Sequence, residues 1–540
     1  MNSTLAALLP ESLRFRLVES RFLRNRRNKK LGRMGTKILV VHPHYPGKPD
    51  IRYMPLGLAA VAGVAEQQGH DVHVCDLLNE ALPYSVLEEQ LRRGNFKLVM
   101  AGGFAMQVAS MREIVRRVRD CSPGTKVLLG GVGVSDIPEI ALDYTGADGV
   151  CTHEAEMVLP DMLRAVHEGR SWHQCKGIVF RDSDGKVVKR PGGALPEKLD
   201  ELPYAAYHLF DIKNIAPKSY NGWGARKSIH IMTSRGCPFR CTFCINSLLN
   251  DKEYKLEAFG GELTGSKKPL RHRSPESVVK EINFLKSRYG IADFHFADEE
   301  FITHTEHLVE MCAALKTANV TWSTSGRADW VNEVKLRAMK EAGCRFIIFG
   351  IESGSQKMVD IMDKRAKVER AAEGLLACYR VGMRFIPNFM IGHPGETKET
   401  IAETLEFCRS LKLPYSPAFV TPFPNSKMFH DNKHRLGDWQ AYFEKLANVD
   451  YNKHVFTQLS ELTPDELKEA RAVGEAETTA KAATEYFVDY SEKIDPTRWG
   501  ALPPAGGPPI AELPAMFRRK GQTKPAKDDA FAESLAGLEA

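Results

Sequence analysis

Nowhere in this 540-residue chain do apolar residues run unbroken for a length near 18, and no secretory signal peptide is legible at its start. A membrane-spanning helix and an exported, disulfide-stapled fold are therefore not expected. Charge of one sign is also scarce. Lys and Arg total 74 against 68 Asp and Glu, a formal net charge of +6, too little over this length to imply a nucleic-acid partner. The 11 cysteines are scattered except for three, and no second cysteine or histidine pair follows those three at the spacing a closed zinc site requires. The expected setting is a reducing cytoplasm and the expected state a monomer. What is present is a soluble composition, 43% apolar and 26% charged, in a chain long enough for two or three domains with tails.

The three clustered cysteines organise the reading. In IHIMTSRGCPFRCTFCIN, residues 229–246, alternating apolar residues Ile229 and Ile231 mark a strand that runs into a loop carrying Cys237, Cys241 and Cys244. Three thiolates at C-x3-C-x2-C spacing can hold three corners of a cubane iron-sulfur cluster and leave the fourth iron open to a small molecule. The competing readings are a zinc knot or three unrelated core cysteines.

This motif, with Phe243 before the last cysteine, resembles the signature of the radical S-adenosylmethionine (SAM) superfamily. The resemblance implies a 4Fe-4S cluster on Cys237, Cys241 and Cys244, SAM chelated at the open iron, and an external one-electron donor of the flavodoxin or ferredoxin kind. After the loop, strand-like segments recur at 229–234, 292–297, 319–325, 345–350, 384–391 and 415–421, with helices such as SPESVVKEINFLKSRYG between them, opened by Ser274 and Pro275. Six such units predict a partial (β/α)6 TIM barrel with its chemistry at the carboxyl ends of the strands. Those ends are polar: Asp298-Glu299-Glu300, Ser325-Gly326-Arg327, Gly350 to Gly354, and Gly392 to Glu396. By the resemblance, Arg327 suits the SAM carboxylate through a bidentate contact, and Asp298 or Glu299 suits its ammonium. Glu352 or Ser353 suits the ribose, and Gly392 lets the backbone approach the adenine. Thr421 to Ser426 resembles the last-strand loop, with Asn425 at a position that is usually Gly; Asn tolerates positive φ.

The preceding segment alternates strands and helices from Lys37: KILVVHP, then PLGLAAVAGVAEQQG opened by Pro55 and closed by Gly69, then DVHVCD, FKLVMAGG, MREIVRRVRDCSPG and KVLLGGVG. This pattern predicts a doubly wound parallel sheet, with ligands beyond the strand ends at His42 to Pro46, Gly102 to Phe104 and Gly130 to Gly133. The segment resembles the Rossmann-like cobalamin-binding domain that precedes many radical SAM cores, on Pro55-Leu56-Gly57, Gly69-His70, Asp76 and Gly130-Gly131. Pro55, Gly57, Gly102, Gly103, Gly130 and Gly131 are the candidate cobalamin-binding positions. Two departures stand against the pattern: Gly133 where a His is frequent, and His153-Glu154-Ala155-Glu156 where a Gly-Glu-Gly-Glu turn is usual. Asp71-Val72-His73 with Asp76 looks like a cobalt-ligating motif, but its Gly is missing and it lies within a strand. The resemblance implies a cobalt without a protein imidazole, open or ligated by water.

The expected organisation is a basic leader (1–35), the cobalamin-binding domain with a hairpin at Asp184-Gly185 (36–191), a linker (192–225), the partial barrel (226–428), a small helical carboxyl-terminal cap with a Thr463 N-cap (429–494), and a loose tail (495–540). The leader carries nine Arg or Lys in LRFRLVESRFLRNRRNKKLGR, and it reads either as a surface helix touching an anionic membrane through residues 13–33 or as a solvated segment.

Taken together, the resemblance implies a cobalamin-dependent radical SAM methyltransferase. One SAM methylates the reduced corrinoid, another yields a 5'-deoxyadenosyl radical that takes hydrogen from an unactivated carbon, and the substrate radical receives the methyl group. A cyclase or oxygen-inserting enzyme with the same cofactors, a methylthiotransferase with a second cluster, and a non-catalytic iron-sulfur redox protein remain open. The substrate, a soluble biosynthetic intermediate or a lipid, carries no sequence code.

Overall fold

The structure is a computed structural model that describes residues 35–47, 52–152, 154–190, 193–218, 227–246, 263–265, 270–451 and 453–483. The leader to residue 34 with its proposed membrane contact, His153, part of the linker and the carboxyl tail lie outside the described residues. Two compact units emerge. The first comprises Met1–Tyr220, Ile245–Pro269 and Pro422–Asp450, and the second Asn221–Cys244, Leu270–Thr421 and Tyr451–Ala540.

The amino-terminal unit is the expected doubly wound sheet. Its strands are β1 (Lys37–His42), β2 (Asp71–Asp76), β3 (Leu98–Gly102), β4 (Lys126–Gly130), β5 (Gly149–Cys151), β6 (Ile178–Arg181) and β7 (Val187–Lys189), in the order β2-β1-β3-β4-β5-β6-β7. Helices α1 (Leu56–Gln67), α2 (Tyr84–Gly94), α3 (Val108–Cys121), α4 (Pro138–Thr145) and α5 (Ala155–His167) connect them. Residues Ile38 to Val41 are all fully buried, as a central strand covered on both faces requires. The first five strands are parallel. The hairpin around Gly185 extends the sheet as the antiparallel pair β6 and β7, with Gly185 at φ +78°. Strand order reverses between β1 and β3, so the switch point at which doubly wound sheets bind ligands lies at the carboxyl ends of those two strands. His73 sits inside β2 with Nε2 3.2 Å from Asp71, and so belongs to the strand as expected.

The second unit holds a six-stranded, wholly parallel sheet, β8 (Ser228–Ile231), β9 (Asp293–Phe296), β10 (Thr321–Gly326), β11 (Cys344–Glu352), β12 (Arg384–Ile391) and β13 (Ala418–Phe419), with neighbours in sequence order. Between the strands run α6 (Pro275–Tyr289), α7 (Thr305–Ala318), α8 (Glu333–Glu341), α9 (Gln356–Ile361), α10 (Val368–Val381) and α11 (Lys398–Ser410). One face of the sheet is apolar and closed. Phe296 stacks on Trp322 at 4.9 Å, Phe301 meets the same indole edge-on, and Trp322 Nε1 donates to the Ala342 carbonyl at 2.8 Å. The last strand is shorter than the expected 415–421: Pro414 and Pro417 before it and Pro422 after it remove ladder donors, leaving Ala418–Phe419.

The stretch expected as one helical cap, 429–494, is shared between the units. Helices α12 (Lys427–Asp431) and α13 (Trp439–Asn448) cluster with the amino-terminal sheet, whereas α14 (Pro464–Ala483), capped by Thr463 and Glu466, belongs to the second unit. The anchor in the first unit is Asp136, buried after β4. It accepts the Asn425 backbone N–H at 2.8 Å and lies 2.6 Å from His430 Nε2, while Asn425 Nδ2 donates to the Val132 carbonyl. Asn425 adopts φ +69°, the conformation its residue type was expected to tolerate. Replacing Asp136 by Ala removes two charge-assisted bonds from a buried site. The expected loss is about 2–4 kcal/mol, read as a lower urea midpoint for the amino-terminal unit.

Candidate functional site

The cysteine loop is held at both ends by side chains from other strand ends. β8 stops at Ile231, and Asp298, just past β9, takes over: its carboxylate accepts the Thr233 backbone N–H at 2.7 Å, the Ser234 N–H at 3.1 Å and the Thr233 hydroxyl. Glu299 accepts the Gly236 N–H at 3.1 Å, and Gly236 turns the chain at φ +89° into Cys237. On the far side, Thr242 donates its N–H to the Met362 carbonyl at 2.9 Å, and Cys244 N–H closes a turn on the Cys241 carbonyl. Phe243 stands edge-on to His393, ring centroids 6.3 Å apart, and so ties the loop to the end of β12. Asp298, expected to meet the SAM ammonium, thus spends both carboxylate oxygens positioning the loop, and Glu299 also holds it through Gly236.

Electrostatics around the cysteines are set by burial and two cations. Burial pushes the Cys237 thiol up to about 12, with Glu300 and the other two cysteines adding to the rise. Cys241 is also raised by burial, with Lys364 and Arg327 opposing. Mutual repulsion of three partly buried thiolates favours a cationic core that bridges them, as an iron-sulfur cluster does. Among the described residues, no three His, Cys, Asp or Glu are arranged to hold a single metal ion.

Arg327, 5% exposed, turns Nε and Nη2 on Asp329 at 3.1 and 2.9 Å and lies 3.8 Å over the Phe239 ring. Its bidentate edge is therefore taken, and the buried Nη1 is a donor with no hydrogen-bond partner in the protein. Glu352 sits at a β-bulge with φ +69° and accepts from Lys364 Nζ at 3.3 Å. Lys364 lies on a turn flanked by Asp363 at φ +44° and Arg365 at φ +53°, and a non-glycine left-handed residue stores strain of about 1–3 kcal/mol. The Ser353 hydroxyl is committed to Thr404 at 2.9 Å and to the Ser355 N–H. Gly392, at φ +93°, gives its N–H to Glu396, and a side chain there would press on Leu467.

Asp329 and Lys364 were not singled out from sequence, and Glu300 and Glu396 were named only within polar strand ends, without a role. Glu300 was legible as the third carboxylate of a run and Glu396 as the end of the Gly392 segment, whereas Asp329 and Lys364 had no such mark. Burial raises Asp298 to about 6 and both Glu300 and Glu396 to about 7.

In the amino-terminal unit the strand ends carry a buried polar cluster. His42 Nδ1 lies 2.8 Å from Asp76 and its Nε2 3.1 Å from the Tyr53 hydroxyl, which donates to Gln107 Oε1 at 3.1 Å. The glycines expected to admit a ligand act differently. A Cβ on Gly102 would lie 2.8 Å from the Gly130 carbonyl, one on Gly103 would strike Gln107, and one on Gly131 would lie 2.9 Å from the Gly103 nitrogen. Their clearance is spent on the mutual approach of the loops after β3 and β4. A Cβ on Gly130 would meet Cys151 only at an ordinary 3.8 Å, and one on Gly57, after the buried Pro55, would meet nothing within 4 Å. Open Gly57, the exposed ring of Phe104 and the Tyr53 phenol at the switch point fit a broad, flat macrocycle lying on the strand ends.

A Radical SAM superfamily model matches residues 231–408, and a B12 binding domain model matches residues 48–163. The chain is similar to an uncharacterized methyltransferase of Pyrococcus horikoshii, 27% identical over 420 residues, 75% of this chain and 86% of that one. It is also similar to the cytidylyl-2-hydroxyethylphosphonate methyltransferase of Streptomyces wedmorensis, 28% identical over 397 residues, 65% of this chain and 71% of that one. Among solved structures, the radical SAM methyltransferase TsrM of Kitasatospora setae, with cobalamin and a [4Fe-4S] cluster bound, shares the fold at a TM-score of 0.58 and 20% identity, with 75% of each chain covered.

Two outcomes test the site. A neutral carboxyl in the folded state binds a proton that the unfolded chain has released, so Glu300 and Glu396 cost stability as pH rises from about 4.5 to about 7. Relative to Glu300→Gln or Glu396→Gln, the wild-type urea midpoint is expected to fall across that window and stay level above it. Gly102→Ala is expected to cost about 1–3 kcal/mol in the cofactor-free protein, because the crowding is with protein backbone; equal thermal midpoints for the two proteins would refute that assignment.

Proposed function

This chain belongs to the radical SAM enzymes that carry a B12-binding domain, and from that membership we propose that it is a methyltransferase placing a methyl group on an unactivated carbon of a biosynthetic intermediate. When bound, a [4Fe-4S] cluster supplies the electron that cleaves SAM to a 5'-deoxyadenosyl radical, and cobalamin carries the methyl group. The observation that carries the reading is the loop of Cys237, Cys241 and Cys244 pinned at the strand ends by Asp298, with the unspent Arg327 Nη1 in the same unit.

The roles follow from what each side chain has left to give. The three cysteines hold the cluster, shedding their thiol protons as they do so, which couples loading to pH. Arg327 offers Nη1 to the SAM carboxylate, in place of the two-pronged contact its type would allow. Glu352, with one oxygen on Lys364, is better placed than Ser353 to serve the ribose, because the Ser353 hydroxyl is already engaged. Gly392 keeps its carbonyl side for the adenine while Glu396 holds its N–H. Glu299, exposed at the same strand end, is the carboxylate proposed for the SAM ammonium, because Asp298 has both oxygens on the loop. The Tyr53 and Gly57 surface serves the corrinoid. The proposed setting is the cytoplasm, with a small-molecule substrate and a soluble one-electron donor; among the described residues no helix is long and apolar enough to cross a membrane.

Anaerobic reconstitution tests this directly. About four irons and one corrinoid per chain are expected, and SAM carrying a deuterated methyl group should yield 5'-deoxyadenosine together with a product heavier by that methyl. Cys241→Ala should abolish 5'-deoxyadenosine formation. Iron without corrinoid would defeat the methyl-transfer reading, and SAM cleavage surviving the cysteine substitution would defeat the cluster assignment.

A further inference from the structure

One phenol organises the polar cluster beneath the strand ends of the amino-terminal unit. Asn79 fixes the Tyr53 backbone from both sides: its Oδ1 accepts the Tyr53 N–H at 3.1 Å and its Nδ2 donates to the Tyr53 carbonyl at 2.9 Å. Asn79 is itself held by Asp76, which accepts its backbone N–H at 2.9 Å and its side-chain amide at 2.8 Å. The hydroxyl is fixed separately by His42 and Gln107, and Gln107 is oriented by accepting the Phe104 N–H and donating to the Pro43 carbonyl at 2.8 Å. Four contacts on one tyrosine place its oxygen far more firmly than packing requires. His42, Asp76, Asn79 and Gln107 are buried to 4% exposure or less, while Tyr53 is the partly exposed member. The relay thus opens through the phenol, at the point where the strand order reverses.

The bonding leaves the phenol one vacancy. Gln107 Oε1 only accepts, so the phenol proton goes to it, while His42 Nδ1 and Nε2 contact Asp76 and the phenol oxygen in roles set by the imidazole tautomer. His42 takes at most one of the two lone pairs on that oxygen, so an acceptor remains. Both His42 nitrogens are engaged, so the imidazole is not available as a metal ligand without dismantling the relay. A metal-bound water, a strong hydrogen-bond donor, is what this acceptor matches.

Resting on the corrinoid reading above, we propose that Tyr53 holds a water molecule on the cobalt face turned toward the strand ends, with His42 and Asp76 fixing the phenol that accepts its hydrogen bond. The relay then sets whether cobalt keeps an axial oxygen ligand, and Tyr53 is a positioning residue for that ligand.

The experiment compares wild type and Tyr53→Phe, each loaded anaerobically with hydroxocobalamin, reduced to the cobalt(II) state and read by electron paramagnetic resonance. The wild type is expected to be five-coordinate with an oxygen ligand, and Tyr53→Phe to be mainly four-coordinate at unchanged corrinoid stoichiometry. Identical spectra for the two, or nitrogen hyperfine splitting in the wild type, would overturn the proposal. Should Tyr53→Phe fail to retain corrinoid, His42→Gln decides by the same spectrum: loss of the oxygen ligand supports the relay, and its persistence overturns it. A wild type that takes up no corrinoid sinks the cofactor reading along with this one, whereas a loaded wild type with an unaltered Tyr53→Phe spectrum sinks only the relay.

Discussion

Asp298 accepting the backbone N–H groups of Thr233 and Ser234 is the contact on which the second unit's chemistry depends. A six-stranded parallel sheet positions strand ends to within a side chain's reach, but a loop carrying three thiols has no ladder of its own to hold it. One buried carboxylate converts the end of β8 into a defined bend, and the Met362 carbonyl and His393 ring fix the other side. The cost is a carboxyl group removed from water, visible in its rise to about 6.

The same economy recurs at the other strand ends. Buried polar groups there are either fully engaged, as Ser353 and Asp298 are, or left with one open function, as Arg327 is at Nη1. Engaged groups give the rim its shape, and those with an unspent donor or acceptor are where a ligand gains most, because bonding it relieves a desolvated atom rather than displacing an existing partner. That distinction sorts residues which their identities alone do not, such as Glu352 from Ser353.

Much of the fold was legible because local chemistry and topology agree. Strand and helix alternation gave the doubly wound sheet and the six barrel strands, Asp184-Gly185 gave the hairpin, and Asn425 supplied the positive φ its loop requires. The three cysteines were legible because their function demands short spacing on one loop. What escaped had no short-range mark. β5 is only Gly149–Cys151, too short to show a period. Lys364 reaches Glu352 across 12 residues, and Asn79 reaches Tyr53 across 26, pairings created by topology and not by pattern. The glycines at 102, 103 and 131 were visible as small, but only the packed loops reveal that backbone, not ligand, fills the space. The helical stretch after residue 429 was seen as helix, yet its division between units turns on Asp136, almost 300 residues earlier in the chain.

That division has a bearing on how the chain is made. The unit whose strands emerge first from the ribosome lacks α12 and α13 until residue 450 has been synthesised, after all six barrel strands have already appeared. The first unit therefore stays unfinished until residue 450, and the second until α14 follows it, with the buried Asp136 awaiting its partners through most of translation. The two units are threaded through each other in sequence, so neither can be cut out as one uninterrupted segment, and a premature stop within the barrel would leave both unfinished.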